Sequence, residues 1–277
     1  MGPEISLMPV AEHDIYITDP DRKRSFLSKI FFSPKFTFYL QLYLIVRRNG
    51  RRALEGLYGD REWAESSHEV MRALENVGVR FELAGMDNMR KVPGPVVFIG
   101  NHMSTLETMV LPCIIEPVQH TTFIVKASLI TMPVFGPVMR SRDPIVVART
   151  NPREDLKMVM ERGMEKLKAG VSIIVFPQST RTSGFNPEDF NTLGVKLAAR
   201  AGVPVIPIAL KTDAWGNGRY IKEFGPIDST KTVRISFGEP MKIAGRGTGE
   251  HEKIVAFIQD NLRQWSSGDQ NKRCGKR

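Results

Sequence analysis

His102 lies five residues before Glu107 in the segment Asn101-His102-Met103-Ser104-Thr105-Leu106-Glu107, which follows the apolar run 96–99. A histidine titrates near neutral pH, so its ring can take a proton from an alcohol. A carboxylate in contact with the ring fixes its tautomer and stabilises the imidazolium that forms. Such a pair can transfer an acyl group from a thioester to a hydroxyl directly, without a serine or cysteine nucleophile. The sequence therefore predicts a general base at His102 and its orienting partner at Glu107.

Glu107 also has a simpler interpretation. The run 104–107 fits a capping box, in which a glutamate at the third helical position hydrogen-bonds back to the start of its helix. The two roles are compatible, because a glutamate turned back in this way points toward the strand exit that holds His102. At about 100° per residue, side chains five positions apart in one helix diverge, so the pair meets only if His102 precedes the helix.

Two arginines follow other predicted strands. In open α/β sheets, binding sites gather in the loops at the carboxyl ends of the strands. Arg149 ends the apolar run 145–148, and Arg181 follows the apolar run 171–176. A guanidinium binds phosphate through two parallel contacts, and the hydroxyls of Ser179 and Thr180 stand beside Arg181. The sequence predicts a phosphate site here, with ordinary ion pairs as the alternative for both arginines.

Alternation of strand and helix patterns defines the fold class. Apolar runs predict strands at 79–83, 96–99, 122–125, 145–147, 171–176, 203–210 and 233–237. Helical periodicity appears at 63–77, 106–114, 151–170, 193–198 and 254–265. We expect an α/β domain over residues 59–265, with a mostly parallel or mixed sheet flanked by helices. Residues 1–25 are expected to form a loose segment and residues 266–277 a flexible basic tail.

Residues 26–58 are rich in aromatic and basic side chains. Their longest stretch without a charge, 36–46, is shorter than the roughly 20 residues that span a bilayer. Aromatic rings flanked by lysine and arginine are typical of a helix that lies on an anionic membrane surface. We therefore predict a membrane-interfacial helical segment, with packing on the protein's own core as the alternative. No signal-peptide pattern occurs at the N-terminus, which predicts the cytoplasmic side of the membrane.

The composition narrows the class of protein only slightly. The net charge is +9, and the 2 cysteines form neither a disulfide framework nor a metal-binding pattern. Basic clusters suit nucleic acid, an anionic membrane or an acidic substrate. No nucleic-acid-binding motif supports the first of these, and we expect no metal and no cofactor.

Four segments resemble, in order, the motifs of the glycerophospholipid acyltransferases, the lysophosphatidate acyltransferase family. Residues 101–107 resemble its His-x4-Asp motif, and residues 176–182 are similar to Phe-Pro-Glu-Gly-Thr-Arg-Ser. Residues 145–149 and 203–208 resemble the motif ending in arginine and the Val-Pro-Ile-Ile-Pro-Val strand. In three places the chain departs from the pattern: Glu107 replaces Asp, Gln178 replaces Glu, and Ser179 replaces Gly.

The resemblance implies an O-acyltransferase that moves a fatty acyl group from acyl-CoA or acyl-carrier protein to a lysophospholipid hydroxyl. His102 and Glu107 would be catalytic. The expected substrate-binding residues are Asn101, Ser104, Lys126, Arg149, Gln178, Ser179, Thr180 and Arg181. The departures keep a different lipid or amine acceptor open, and a catalytically silent, membrane-bound lipid-binding module is the alternative from another class.

Overall fold

The computed structural model describes residues 12–22, 33–178, 180–219 and 221–274. Within these residues, eight strands form one sheet in the spatial order β1-β2-β8-β7-β3-β6-β4-β5. β1 pairs antiparallel with β2, β8 pairs antiparallel with β7, and the other neighbours are parallel. The predicted mixed α/β fold is confirmed. The strands are Tyr16–Ile17 (β1), Arg80–Ala84 (β2), Val97–Gly100 (β3), Thr121–Lys126 (β4), Ile145–Val147 (β5), Ser172–Val175 (β6), Val205–Lys211 (β7) and Thr232–Phe237 (β8).

Helices cover both faces of the sheet because the central strands are apolar on both sides. In β3, Phe98 belongs to the core beneath α1, α2, α4 and α6, whereas Val97 and Ile99 belong to the core beneath α7, α8 and α9. The helices are Pro34–Leu54 (α1), Asp60–Asn76 (α2), Asp87–Arg90 (α3), Leu106–Ile115 (α4), Ala127–Ile130 (α5), Gly136–Ser141 (α6), Pro152–Lys168 (α7), Leu193–Ala201 (α8) and Thr248–Cys274 (α9).

Helix α1 occupies most of the predicted interfacial segment, of which residues 26–32 lie outside the described residues. Ser33 begins the helix by accepting a hydrogen bond from the N–H of Phe36. One face packs on the core through the fully buried Phe38. The other face leaves large apolar side chains exposed. The core-packing interpretation therefore describes one face of the helix, and the membrane-interfacial interpretation stays a prediction for the other. The helices of the described residues are all too short or too polar to cross a membrane.

Helix α4 carries Glu107 and is joined to α2 by a serine hydroxyl. Pro112 has no N–H to donate, which weakens the hydrogen-bond ladder in the middle of α4. The Ser67 hydroxyl of α2 enters the ladder there: it donates to the carbonyl of Met109 at 2.8 Å and accepts from the N–H of Cys113 at 2.9 Å. The hydrogen bonding of α4 is therefore completed by a neighbouring helix.

Both terminal segments make specific contacts over their described parts. In the segment 1–25, which was expected to be loose, Tyr16 and Thr18 both donate to the buried carboxylate of Glu75. In the segment 266–277, which was expected to be a flexible tail, α9 continues to residue 274. Asp269 fixes this last part of the helix by accepting hydrogen bonds from Lys211 and Arg234.

Candidate active site

His102 and Glu107 meet at the carboxyl end of β3, in the centre of the sheet. Nδ1 of His102 lies 3.1 Å from Oε2 of Glu107. His102 precedes α4 and Glu107 lies in its first turn, so the separation of five residues brings the side chains together. With Nδ1 donating to the carboxylate, the neutral ring presents its lone pair at Nε2. The His102 side chain is 13% exposed, so the ring is partly open to solvent.

The Glu107 carboxylate is fully buried and held from several sides. Oε1 accepts hydrogen bonds from the backbone N–H groups of Met103 and Ser104, both at 2.9 Å. Thr212, just after β7, donates its hydroxyl to the same oxygen. Glu107 therefore turns back to the start of its helix, as in a capping box, and contacts His102 as well. One position of the Glu107 side chain thus makes the contacts expected of a helix cap and the contact with His102.

The His102 ring is fixed by the loop that follows β6. It stacks on Phe176 with ring centroids 4.5 Å apart and an interplanar angle of 7°. The backbone N–H of His102 donates to Oε1 of Gln178 at 2.7 Å, and its carbonyl accepts from the N–H of Thr182. Gln178 in turn donates from Nε2 to the hydroxyl of Thr182. Gln178 thus braces the histidine segment with both of its polar atoms.

Asn101 and Ser104 are buried and bind protein groups. Asn101 exchanges two hydrogen bonds with the backbone of Leu210 in β7, at 2.8 and 2.9 Å. The hydroxyl of Ser104 donates to the carbonyl of Thr212 and accepts from the N–H of Leu106. These contacts tie the exit of β3 to β7 and fix the path of the chain between His102 and Glu107.

Arg181 lies close to the histidine segment. Nη1 donates to the hydroxyl of Thr105, at 2.9 Å, and Nη2 forms an ion pair with Oε1 of Glu223, also at 2.9 Å. Its side chain is only partly exposed, at 15%. Thr180 beside it is exposed, and Ser179 lies outside the described residues. The structure therefore brings one of the two predicted arginines to the start of α4.

Arg149 and Lys126 lie farther from His102. β4 and β5 are two and three strands away from β3, so the end of β5 is roughly 14 Å from the end of β3 at about 4.8 Å per strand. Arg149 has a left-handed backbone with φ of 60°, a conformation that favours glycine. Asp155 stabilises this turn by accepting the N–H groups of Ala148 and Arg149. Arg149 and Arg181 thus follow strands that are two positions apart in the sheet, β5 and β6, and their joint binding of phosphate stays a prediction.

Two polar residues at the site escaped sequence reasoning. Thr212 contacts Glu107 across 105 positions, and Glu223 contacts Arg181 across 42. Neither residue belongs to one of the motifs. Both follow β7 in the chain, and the fold brings them to the site. The available signal was Thr212 itself, a polar residue that directly follows an apolar strand.

Comparisons with known proteins identify the family of the chain. Residues 80–211 match the family model described as Acyltransferase. The 1-acyl-sn-glycerol-3-phosphate acyltransferase of Pseudomonas aeruginosa is 30% identical over 190 residues, which cover 69% of this chain and 68% of that protein. The enzyme of the same name from Escherichia coli is 29% identical over 119 residues, covering 43% of this chain and 48% of that protein.

A solved structure has the same fold. The crystal structure of the 1-acyl-sn-glycerophosphate acyltransferase PlsC from Thermotoga maritima superposes with a TM-score of 0.59. The match covers 87% of this chain and 95% of that chain, at 19% sequence identity. The chain therefore shares the overall fold of that protein.

Proposed function

Since the chain belongs to the 1-acyl-sn-glycerol-3-phosphate acyltransferase family, we propose that it transfers a fatty acyl group from acyl-CoA or acyl-carrier protein to the free hydroxyl of lysophosphatidate or a similar lysophospholipid. The observation that carries this proposal is the contact of the partly exposed His102 with the buried Glu107. The chain is an acyltransferase by its family; the donor, the exact acceptor and the roles of the residues are what we propose.

In this mechanism Nε2 of His102 takes the proton of the acceptor hydroxyl as its oxygen attacks the thioester carbonyl. The imidazolium that forms is stabilised by the Glu107 carboxylate at Nδ1. Collapse of the tetrahedral intermediate expels the thiolate, which takes the proton from His102. The base is ready for the next cycle, and no acyl-enzyme forms. A positioned base of this kind contributes roughly 10² to 10⁴ in rate.

Arg181 is the residue that we propose to bind the acceptor phosphate. The guanidinium contacts Thr105, which lies between His102 and Glu107 in the sequence. The guanidinium is therefore located at the start of α4. A phosphate there would leave the attached glycerol within reach of His102. Arg149 and Lys126, at strand exits farther along the same edge, remain proposed contacts for the more distant parts of the substrates.

An apolar cleft lies beside α4, between α1, α2, α4 and α6. Its cavity volume is about 30 Å³, which holds about one water molecule, so we propose that it widens to admit an acyl chain. Met109, one turn or less beyond Glu107 on the same helix, lines it together with Trp63 and Val138. A chain bound in this cleft would extend away from His102 under the exposed face of α1.

That exposed face is what we propose to lie on an anionic membrane, on the cytoplasmic side. Leu40, Tyr43 and Leu44 are 40–53% exposed on consecutive turns of α1, and Phe36 precedes them at the same spacing. Basic side chains follow in the next turns of the helix, as expected of a peripheral protein that binds acidic headgroups. The basic residues are Arg47, Arg48, Arg51 and Arg52.

The proposal is tested by incubating the purified protein with a panel of lysolipids and one radiolabelled acyl-CoA, and identifying the product. Wild-type protein should acylate lysophosphatidate, and His102→Ala should lower kcat at least about 10²-fold while the protein stays folded. His13→Ala, at an exposed histidine, is the control and should keep full activity. Equal turnover by wild-type and His102→Ala would refute the mechanism. Release of thiol without any acylated product would refute the transfer reaction.

A further inference from the structure

The segment between β7 and β8 forms a strap beside the histidine segment, described over residues 213–219 and 221–228. Its two arms touch through their backbones: the N–H of Gly216 donates to the carbonyl of Pro226 at 2.9 Å. A side chain on Gly225 would lie 1.6 Å from the carbonyl oxygen of Gly216, so only glycine fits there. The strap is also joined to the histidine segment, because Asn217 donates to the carbonyl of Met103 at 3.0 Å.

Aromatic residues hold the strap against α1. Trp215 is buried with its ring 4.8 Å from that of Phe38. The indole N–H of Trp215 donates to the backbone carbonyl of Glu223 at 3.1 Å, and the hydroxyl of Tyr39 donates to the carbonyl of Gly225 at 2.7 Å. The carbonyl of Glu223 is therefore held by Trp215 and that of the nearby Gly225 by Tyr39, so the backbone around Glu223 is fixed from two sides.

This fixed carboxylate meets the guanidinium of Arg181 at 2.9 Å. The two side chains form a half-buried ion pair, with exposed fractions of 31% for Glu223 and 15% for Arg181. Glu223 thereby neutralises part of the positive charge with which Arg181 could attract an acceptor phosphate. Gln178, in the same loop as Arg181, is uncharged, so it adds no charge to that of the Arg181–Glu223 pair.

We propose that Glu223 is a specificity-determining residue that shares Arg181 with the acceptor phosphate and disfavours a second negative charge on it. The inference rests on the proposed function, in which Arg181 binds the acceptor. A phosphate that contacts Arg181 must displace the carboxylate by a side-chain rotation, yet the pinned backbone keeps Glu223 nearby. Repulsion then grows with the charge of the headgroup, so a phosphomonoester dianion is penalised more than a singly charged phosphodiester.

The test compares two acceptors in wild-type protein and Glu223→Gln, which keeps the shape of the side chain and removes its charge. The ratio of kcat/KM for lysophosphatidate over lysophosphatidylglycerol should rise about fivefold in the variant, the upper end of what a partly exposed ion pair contributes. The gain should appear in the acceptor KM, with kcat and the KM of the acyl donor unchanged. Lysophosphatidate KM should also depend less on pH across the second phosphate ionisation near pH 6.

Glu239→Gln is the matched control, because Glu239 follows β8, two strands from β3, and forms an exposed ion pair with Lys91. It should leave the ratio unchanged. A ratio that stays the same or falls in Glu223→Gln would overturn the proposal and leave Glu223 as a brace for Arg181. Glu223→Ala gives the same readout if the glutamine variant unfolds.

Calorimetric binding of glycerol 3-phosphate separates this inference from the proposed function. Binding should strengthen about fivefold in Glu223→Gln even if no acyl transfer is detected. Unchanged binding, alongside normal acyl transfer, would refute the role of Glu223 alone.

Discussion

Replacing Glu107 by glutamine removes the charge of the carboxylate and keeps its shape. The amide oxygen can still accept the N–H groups of Met103 and Ser104. The amide NH₂ then faces Nδ1 of His102, where it donates a hydrogen bond and drives the ring proton to Nε2. Nε2 is the atom that must accept the acceptor's proton, so the ring is held in the wrong tautomer.

The magnitude follows from these contacts. We expect kcat to fall about 10³-fold, within the range that a positioned base contributes. Stability should change far less, by about 1–2 kcal/mol, because the hydrogen bonds to Oε1 keep their partners and only the second contact of the Ser104 N–H, to Oε2, is lost. Glu107→Ala should be much more destabilising, about 3–5 kcal/mol, since it leaves two backbone N–H groups and the Thr212 hydroxyl without an acceptor. Glu107→Asp should keep partial activity.

Steady-state kinetics and thermal unfolding on the same preparations separate the two roles of Glu107. Glu62→Gln is the matched control, because Glu62 accepts the N–H of Gly59 at the start of α2, far from His102 in sequence. Its Tm should fall slightly while kcat stays at the wild-type value. A Glu107→Gln protein with the lowered Tm of this control and a kcat within tenfold of wild type would show that Glu107 only caps α4.

Two further predictions concern the exposed face of α1 and the end of α9. Leu44→Asp should weaken binding to anionic vesicles about tenfold in a co-sedimentation assay, because a half-exposed leucine loses its burial in lipid and a negative charge is added. The control Leu156→Asp, at an exposed leucine on α7, should not weaken binding. Equal binding by both variants would contradict the proposed membrane face. Asp269→Asn should lower Tm at pH 7 by about 2 °C, or about 1 kcal/mol after solvent screening. The hydrogen bond from Arg234 lowers the pKa of Asp269 from 3.8 to about 2, so its stabilising effect is complete above the ordinary pKa and is lost as the pH falls through 2. The difference from wild type should therefore shrink between pH 4 and pH 2, and Asp260→Asn, at an exposed pair, should show no such change.

The histidine–glutamate pair was predictable because its geometry is local. Five residues across a strand exit and a helix start set the contact, and both elements have clear sequence signals. The position of Arg149 was not predictable in the same way. It depends on the order of strands in the sheet, and the spacing of motifs along the chain does not fix that order.

Long-range polar contacts account for the other differences between the sequence-based predictions and the structure. Nothing near Glu223 in sequence indicates that Arg181 will be its partner. The helical continuation to residue 274 likewise depends on Asp269 meeting Lys211 and Arg234, which lie on β7 and β8. Such pairs stabilise a segment whose own composition favours disorder, and they become visible only in the folded chain.

The Ser67 hydroxyl that contacts α4 bears on how much of the chain before residue 80 the helix with Glu107 needs for its stability. The family match starts at residue 80, whereas Ser67 belongs to α2, upstream of it. A fragment trimmed to the matched region would lack the acceptor for the Cys113 N–H and would leave the helix bearing Glu107 weakened at its proline. We therefore expect a fragment that keeps α2 to unfold at a higher temperature than one that begins at residue 80.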